Sequence, residues 1–309
     1  MRTLIIFNPM AGQAATLQQE LEGAAQVWRA AGWSVDMQPT QAAGDGTRLA
    51  REAAMAGYDL VAAAGGDGTI NEIVNGLAGS ETALTPLPIG TVNVWARELG
   101  LPMQPRATAE ALLRGTIRRV DLGLAGERYF LLMAGVGFDA AVVMAVHARE
   151  KRRLGALAYV VRAVALAFAY GGTRAQITID GDPLFGRVLM LVIGNTRLYG
   201  GVISITSEAI IDDGLLDVCL LRGRNWLRSL GQISSVLRRR QRADPQVEYR
   251  LAREVTISAR RPLPIQVDGD YIGTTPMTFT IAPRALRVLL PERLPSNLLL
   301  TQTPESEQD

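Results

Sequence analysis

The sequence predicts an α/β domain followed by a β-rich domain, and two patterns predict it. Up to about residue 120, short apolar runs alternate with helical stretches, which is typical of a parallel sheet covered on both faces. From Thr173 onward, strand-like runs are separated by Asp-Gly, Gly-Asp and Pro, which is typical of an antiparallel sheet or sandwich. The 309 residues are enough for two domains, and 48% hydrophobic residues exclude general disorder.

In the first domain each predicted strand is followed by a predicted helix. The strands are residues 3–7, 33–37, 59–64 and 84–89. The helices are residues 13–31, 45–56, 70–77 and 93–99, and Gly32 and Gly57 follow the first two of them. Such connections are right-handed. In open α/β sheets ligands bind beyond the carboxyl ends of the strands, and we expect the same here.

The second domain begins with a helix-rich segment over residues 138–169. The predicted strands after it are residues 175–179, 187–193, 215–221, 254–259, 265–268 and 286–290. We therefore expect a domain over residues 1–120 and a second over residues 121–300, leaving open whether the last strand returns to the first domain. The polar residues 301–309 are expected to form a disordered tail.

Composition excludes several classes of protein. The single cysteine, Cys219, rules out an intrachain disulfide and a cysteine zinc cluster, and the single histidine, His147, rules out sites with several histidines. Lys151 is not preceded by glycine, so there is no Walker lysine. The net charge of +2 does not indicate nucleic acid, and no apolar stretch is long enough for a membrane crossing. We expect a cytoplasmic protein.

The strongest motif is Gly65-Gly66-Asp67-Gly68-Thr69-Ile70-Asn71-Glu72, which follows an apolar strand and opens a helix. Its glycines let main-chain N–H groups approach an anion, and the helix start favours negative charge. Beside phosphates, Asp67 would act through a metal ion or as a proton acceptor. The alternative is an ordinary turn in which the aspartate caps the helix.

Three further polar turns follow predicted strands of the same domain. They are Asn8-Pro9-Met10-Ala11-Gly12, Thr40 with Gly44-Asp45-Gly46, and Gly90-Thr91-Val92-Asn93. Four such turns at one edge of a sheet indicate a ligand rich in phosphate. The first domain is therefore expected to be a Rossmann-like nucleotide-binding domain.

Two acidic segments lie in the second domain. Asp212, Asp213 and Asp217 fall within six residues, which suits a hard cation with oxygen ligands and equally suits a hairpin turn. Asp268-Gly269-Asp270 stands between strand-like runs, where a turn is the default interpretation.

The segment Gly135-Val136-Gly137-Phe138-Asp139-Ala140 resembles a dinucleotide-binding fingerprint. It lies where the character of the chain changes and no acidic strand end follows at the expected distance. We therefore interpret it as a pair of glycines required by backbone packing.

Residues 222–242 combine seven arginines with apolar residues at helical spacing. A basic amphipathic helix of this kind can lie on anionic lipid. It can equally pack on the core with a solvated arginine face, and the sequence leaves both interpretations open.

Taken together, these motifs resemble the diacylglycerol-kinase catalytic-domain family, which includes bacterial lipid kinases and sphingosine and ceramide kinases, with NAD kinases as distant relatives. The resemblance covers about residues 3–295. It is carried by the order and spacing of Asn8-Pro9-x-x-Gly12, Gly65–Thr69 with Asn71-Glu72, Gly90-Thr91-x-Asn93, Gly135-x-Gly137-Phe138-Asp139, Asp213-Gly214 and Asp268-Gly269.

The resemblance implies transfer of the γ-phosphoryl group of ATP to a lipid hydroxyl with Mg²⁺, on a nucleotide-binding domain and a β-sandwich. It implies Asp67, Asp121 and Asp270 as catalytic residues, with Asp67 and Asp121 in a magnesium–water network. It implies a structural magnesium at Asp213 with the carbonyls of Ile210 and Leu215. The implied nucleotide-binding residues are Asn8, Gly12, Thr40, Gly65, Gly66, Asp67, Gly68, Thr69, Glu72, Thr91 and Asn93.

One residue departs from the family pattern. The family usually has Asp-Gly-Glu, with the glutamate as general base, where this chain has Asp268-Gly269-Asp270. Asp270 keeps the carboxylate on a side chain that is shorter by one methylene.

The rival hypotheses are a nucleotide-binding regulatory protein without catalysis, a soluble-substrate kinase of the NAD-kinase type, and a dinucleotide oxidoreductase. Expected partners are a lipid acceptor, a transient membrane contact through residues 222–242 and a homodimer, but no nucleic acid.

Overall fold

The structure is a computed structural model that describes residues 1–11, 14–90, 92–145, 166, 170–200, 203–223, 238 and 247–300. Gly12, Thr91, most of the segments 138–169 and 222–242, and the tail 301–309 lie outside the described residues. The chain divides into two compact units. The first contains Met1–Leu122, Ile211–Asp213 and Pro283–Asp309, and the second contains Gly123–Ile210 and Gly214–Ala282.

The first unit alternates strands and helices as predicted. Its elements are β1 (Arg2–Phe7), α1 (Ala14–Ala30), β2 (Ser34–Pro39), α2 (Asp45–Met55), β3 (Leu60–Gly65), α3 (Asp67–Leu77), β4 (Ala83–Pro88), α4 (Val94–Glu98) and α5 (Pro105–Leu112). The strand order is β2-β1-β3-β4, all parallel, with Ile5 paired to Met37 and Ala62, and Ala62 paired to Thr85. All six residues of β3 are buried, as expected of a central parallel strand with both faces covered.

The helices of the first unit pack in pairs on this sheet. The indole N–H of Trp28 on α1 donates a buried hydrogen bond of 3.1 Å to the carbonyl of Ala109 on α5. A Cβ at Gly76 of α3 would lie 2.5 Å from the carbonyl oxygen of Thr47 on α2, so only glycine permits this close approach. The second contact holds α3, which carries Asp67, close against α2.

The second unit is antiparallel, as predicted. Its elements are β5 (Thr116–Ala125, beginning in the first unit), β6 (Arg128–Phe130), β7 (Met133–Gly137), α6 (Phe138–Ala145), β8 (Thr173–Ile179), β9 (Asp182–Gly194), β10 (Leu198–Tyr199), β11 (Ile203–Ser204), β12 (Leu216–Arg222), β13 (Val247–Ala252), β14 (Glu254–Ala259), β15 (Pro264–Val267), β16 (Asp270–Thr274) and β17 (Met277–Leu290, ending in the first unit). The strand order is β16-β15-β7-β9-β8-β14-β17, and β12 pairs with β9 and β13. Inward-facing side chains such as Val136, Ile177, Leu191, Val255 and Phe279 form its core.

The two units are not continuous in sequence, and the last strand returns to the first unit, a possibility that the prediction of a span 121–300 left open. Residues 211–213 and 283–309 belong to the first unit. The physical reason is hydrogen bonding: Val288 of β17 pairs in parallel with Leu84 of β4, and the Ile211 N–H donates to the Leu298 carbonyl at 3.0 Å. The sequence also missed α5, β5, β10, β11, β13, β16 and the first half of β17.

In the part of the chain that the structure describes, no helix has both the length and the apolar character that a membrane crossing requires.

Candidate active site

The polar turns that follow β1, β2, β3 and β4 meet at one edge of the sheet. The Asn8 N–H donates to the Ala64 carbonyl at 3.0 Å, and the Thr40 N–H donates to the Phe7 carbonyl at 2.9 Å. The Gly90 N–H donates to the Gly65 carbonyl at 3.4 Å. Because the sheet is parallel, the carboxyl ends of these strands lie side by side. The structure therefore brings together the described parts of all four turns singled out from the sequence.

The glycines of the turn after β3 serve two different purposes. A Cβ at Gly65 would lie 2.5 Å from Thr69 Oγ1, so packing requires this glycine. A Cβ at Gly66 or Gly68 would meet no atom within 4 Å, so neither glycine is required by packing. The φ of Gly66 is −92°, which any residue adopts. Open space above two glycines at a helix start is what a phosphate needs to approach the main chain.

Asp67 is the first residue of α3, and its side chain is half-buried. Its Oδ1 accepts a long hydrogen bond of 3.4 Å from the main-chain N–H of Trp95 on α4. The N-cap of α3 is Gly66, so the predicted alternative, in which the aspartate is the capping residue, is wrong. The carboxylate lies in the first turn of the helix, where the helix dipole stabilises negative charge.

Glu72 has a positioning role that the sequence did not reveal. Its two carboxylate oxygens accept hydrogen bonds from the N–H groups of Gly44 and Gly46, at 3.0 and 2.9 Å. The Thr47 hydroxyl donates to the Glu72 carbonyl at 2.8 Å. Glu72 thereby ties the start of α2 to α3. A contact between Glu72 and a nucleotide stays a prediction.

Two asparagines shape the turns beside this edge. Asn8 Oδ1 accepts a hydrogen bond of 2.9 Å from the Met10 N–H, which fixes the turn after β1. Asn93 has a φ of 50° and precedes α4, and its Nδ2 donates to the Gly90 carbonyl at 2.5 Å. Asn93 Oδ1 is buried and has no hydrogen-bond partner within the described residues. An unpartnered buried acceptor indicates that a donor from a ligand or water belongs there.

Asp121 connects three segments of the first unit. Its side chain is 1% exposed, and its Oδ1 accepts a hydrogen bond of 2.7 Å from the N–H of Arg284, whose φ is 53°. Its own N–H donates to the Ile211 carbonyl at 2.7 Å. These contacts show a structural role for Asp121. The implied magnesium–water network with Asp67 stays a prediction.

In the second unit, Asp268 and Gly269 form the two-residue turn between β15 and β16, as the default interpretation predicted. Both have positive φ, at 48° and 87°. The Asp268 carboxylate accepts hydrogen bonds from three successive main-chain N–H groups, those of Leu131, Leu132 and Met133, at 2.9–3.0 Å. The turn that ends at Asp270 is therefore fixed to the start of β7.

Asp268→Ala is expected to lower the free energy of unfolding by about 2–4 kcal/mol, because three N–H groups lose a charged acceptor. Urea denaturation checks this value. Asp180→Ala is the matched control: Asp180 also has a positive φ of 46° and accepts hydrogen bonds from the N–H groups of Arg253 and Glu254, but it is exposed. Water can replace an exposed acceptor, so the control should lose less stability. Equal losses would contradict the anchoring role of Asp268.

Asp270 begins β16 and is paired with an arginine. Arg128 Nη2 lies 2.7 Å from Asp270 Oδ2, and the two side chains are 36% and 44% exposed. The sequence did not predict this ion pair, because the partners are 142 residues apart. The pair fixes one carboxylate oxygen while the group stays accessible to solvent, which a proton acceptor requires.

A buried network supports the same turn from beneath. The Tyr199 hydroxyl donates to Asp139 Oδ1, and Gln266 Nε2 donates to Asp139 Oδ2 at 2.7 Å. Gln266 Oε1 in turn accepts a hydrogen bond of 2.7 Å from the Gly269 N–H. Burial raises the pKa of the Asp139 carboxyl, and the two hydrogen bonds oppose that shift. Asp139 is thus linked through the Gln266 side chain to the main chain of Gly269, the residue before Asp270.

The glycine pair beside Asp139 is explained by packing, as interpreted from the sequence. A Cβ at Gly135 would lie 1.6 Å from Asp139 Oδ2, and one at Gly137 would lie 2.7 Å from the Leu189 carbonyl oxygen. Both glycines lie within β7, which hydrogen-bonds to the antiparallel strands β9 and β15. A parallel βαβ unit, which the dinucleotide fingerprint requires, is not formed there. The observation removes the support for a dinucleotide oxidoreductase.

The carboxylates of the acidic segment at the start of β12 do not form a cluster. Asp212 Oδ1 accepts a hydrogen bond from the Leu300 N–H at 2.6 Å, and the buried Asp217 accepts one from the Tyr249 hydroxyl. No cluster of three metal-binding side chains occurs within the described ranges. The hairpin alternative is wrong, because β12 pairs with β9 and β13 rather than with the strand before it. A magnesium site at Asp213 with the carbonyls of Ile210 and Leu215 stays a prediction.

Comparisons with known proteins match both halves of the chain. The family "Diacylglycerol kinase catalytic domain" matches residues 2–125, and the family "YegS C-terminal NAD kinase beta sandwich-like domain" matches residues 133–290. Among solved structures, one titled as a diacylglycerol kinase from Bacillus anthracis has a TM-score of 0.72 at 22% identity, covering 94% of this chain and 96% of that one. At this identity, the likeness shows the fold.

Sequence relatives extend over almost the whole length. The diacylglycerol kinase of Bacillus subtilis (strain 168) is 31% identical over 294 residues, which cover 94% of this chain and 97% of the relative. The protein named "Probable lipid kinase YegS-like" from Pseudomonas fluorescens is 36% identical over 285 residues, covering 90% and 93%. Identity at this level over nearly the full length of both proteins, with both domain families matched in order, shows that the chain belongs to the lipid-kinase family defined by the diacylglycerol kinase catalytic domain and the YegS-type β-sandwich domain.

Proposed function

We propose that this protein transfers the γ-phosphoryl group of ATP to the hydroxyl group of a lipid, with Mg²⁺ as cofactor. The observation that carries the proposal is the edge formed by the turns after β1–β4, where Gly66 and Gly68 leave open space at the start of α3 beside the Asp67 carboxylate. Family membership supports a kinase, and the names of the relatives support a lipid acceptor similar to diacylglycerol.

The residues present fit a nucleotide and a magnesium ion. Main-chain N–H groups at the start of α3 can bind phosphate oxygens without a Walker lysine. The unpartnered acceptor at Asn93 Oδ1 suits a donor from a ligand. Asp67 supplies the hard oxygen donor that Mg²⁺ prefers. When bound, the ion would neutralise charge on the transferring phosphoryl group.

Each residue of the proposed site would have its own role in the reaction. The glycine-rich turn would hold the phosphates, and Asp67 would hold the magnesium ion. Asp270 would accept the proton as the lipid oxygen forms its bond to the γ-phosphorus and the bond from that phosphorus to the departing ADP oxygen breaks. Arg128 would keep the Asp270 carboxylate in position through Oδ2.

Gly66→Ala is expected to weaken ATP binding by at least tenfold without lowering stability, because the new Cβ would meet no protein atom within 4 Å but would occupy the space given to a phosphate. Isothermal titration with ATP and Mg²⁺ measures the affinity, and urea denaturation measures the stability. The control is Gly23→Ala in α1, where the nearest atom would lie 4.0 Å away and ATP affinity should be unchanged. Unaltered affinity in Gly66→Ala would contradict the phosphate site.

The acceptor is tested with radiolabelled ATP and two acceptors in parallel: diacylglycerol in mixed micelles, and NAD in solution. Labelled lipid on thin-layer chromatography supports the proposal. Labelled NADP would favour the soluble-substrate kinase. ATP binding without transfer to either acceptor would favour a regulatory protein and would overturn the proposed activity.

A further inference from the structure

Three exposed arginines form a row across three neighbouring strands of the second unit. Arg174 on β8 is paired directly with Arg187 on β9, and the Arg260 N–H, just after β14, donates to the Arg174 carbonyl at 3.1 Å. All three side chains are exposed. Because neighbouring strands lie about 4.8 Å apart, the row spans about 10 Å of the surface. We call these three residues the arginine row.

The next row on the same surface is uncharged and ends in an exposed aromatic ring. Gln176 on β8 is paired with Ser258 on β14 and with Phe185 on β9. The Phe185 side chain is 66% exposed. The two rows line one depression of about 670 Å³, whose other lining residues are Ala175, Gly186 and Ala259.

The arginine row is electrostatically unfavourable by itself. Like charges placed directly opposite each other on neighbouring strands destabilise a sheet. In the same unit, Arg128, Arg222 and Arg250 are each paired with a carboxylate. Over the described ranges, no carboxylate forms an ion pair with a member of the arginine row. The charge is therefore available to an anionic partner, which would also relieve the repulsion.

We propose that the arginine row and Phe185 form a docking surface for an anionic lipid bilayer. A bilayer presents many phosphates on one plane, which matches three exposed guanidinium groups in line on a sheet surface. An exposed aromatic side chain beside the charges suits the boundary between headgroups and acyl chains. The inference rests on the proposed function, since a lipid acceptor would be reached at a membrane.

The first experiment measures co-sedimentation with vesicles of phosphatidylglycerol mixed with phosphatidylcholine at low salt. The test variant replaces Arg174, Arg187 and Arg260 by glutamine. The control variant replaces Arg51, Arg114 and Arg293, three exposed arginines of the first unit, and removes the same charge. Each arginine near the surface contributes about fivefold in affinity, so the test variant should bind on the order of a hundredfold more weakly than the control. Equal binding of both variants would overturn the proposal.

The second experiment avoids any effect of the arginines on folding. Arg187 Nη1 also donates to the Gly172 carbonyl at 2.9 Å, so its loss could disturb the sheet locally. Phe185→Cys is therefore labelled with a fluorophore that reports polarity, which is selective because the native Cys219 is buried. The emission should shift to the blue on anionic vesicles and not on pure phosphatidylcholine. Labelled Met55→Cys, at a residue 75% exposed in the first unit, should not shift. No shift at residue 185, or an equal shift at both, would count against the docking surface.

Two further measurements distinguish failure of the docking surface from failure of the proposed kinase activity. If the arginine variant lost affinity for a single-stranded oligonucleotide but kept its affinity for vesicles, the surface would serve nucleic acid and the proposal would be wrong. Kinase activity on diacylglycerol in detergent micelles needs no bilayer, so the arginine variant should keep it within about twofold. If the unaltered protein phosphorylates no lipid and still binds vesicles through the arginine row, the proposed activity fails and the docking surface stands.

Discussion

Asp67→Ala is expected to lower the turnover number on the order of a thousandfold, about 4 kcal/mol of transition-state stabilisation, while the protein stays folded. Asp67 is the only acidic side chain in the first turn of α3, where Gly66 and Gly68 expose the main chain. In the proposed site, a chain without a Walker lysine would neutralise the triphosphate through main-chain N–H groups and a metal ion. Removing the carboxylate removes the metal's protein ligand in the proposed site.

The fold should tolerate this change. The hydrogen bond that Asp67 accepts from the Trp95 N–H is long, at 3.4 Å, and Asp67 is half-buried. Its loss should cost about 1 kcal/mol of unfolding free energy. Turnover is measured with saturating ATP and Mg²⁺ on mixed lipid micelles, and stability by urea denaturation.

The matched control is Asp59→Ala. Asp59 directly precedes the other end of the same strand, β3, where its carboxylate accepts a hydrogen bond of 2.6 Å from the Arg2 N–H. It is an exposed aspartate of the same unit at the amino edge of the sheet, so turnover should not change. Activity of Asp67→Ala within threefold of the unaltered protein, or a loss in Asp59→Ala of the same size, would show that the carboxyl edge of the sheet is not where the chemistry takes place.

The sequence predicted this edge because its signals are local. Each apolar run from β1 to β4 ends in a polar or glycine-rich turn, and parallel topology places those turns together without knowledge of any side-chain contact. Asp67 could be singled out because glycines surround it. The capping alternative was wrong by one residue, since the N-cap of α3 is Gly66 and not Asp67. Local chemistry and a topological rule were sufficient there.

The residues that sequence reasoning missed are joined through distant contacts. Val288 pairs with Leu84 across about 200 residues of sequence. Pro283 and Arg284, which has a positive φ, lie inside β17 where the strand passes from one unit to the other. Pattern reading therefore detected only the last five residues of that strand. In the same way, Asp121 acts on the Arg284 N–H and Glu72 on the N–H groups of Gly44 and Gly46. Residue type shows that a carboxylate can accept a hydrogen bond, but only the fold shows from which group.

Asp270→Asn is expected to lower the turnover number by about a hundredfold to a thousandfold, with little change in ATP affinity, because a general base contributes on this scale and the amide cannot accept the proton. Asparagine keeps the size of the side chain and an oxygen that can accept from Arg128. The ion pair is 36–44% exposed, so its loss should change stability by less than about 1 kcal/mol. Single-turnover transfer and ATP titration together separate chemistry from binding.

The chain offers a close control for this ion pair. Asp182 Oδ2 lies 2.6 Å from Arg250 Nη1 in the same unit, and its side chain is 59% exposed. Asp182→Asn therefore breaks a surface aspartate–arginine pair of the same geometry outside the Asp268–Asp270 turn, and turnover should stay within twofold. If both asparagine variants lost activity equally, the effect would belong to surface charge and not to the proposed base.

Asp270→Glu decides whether the short side chain matters. Two sets of hydrogen bonds hold the turn before Asp270: three main-chain N–H groups donate to the Asp268 carboxylate, and the Gly269 N–H donates to the Gln266 side chain. The main chain therefore cannot shift easily to bring a short carboxylate closer to its substrate. If the aspartate acts as base from this fixed turn, glutamate restores the usual reach of the family and turnover should stay within about tenfold of the unaltered protein or exceed it. An inactive glutamate variant beside an active asparagine variant would mean that residue 270 contributes shape and no proton transfer.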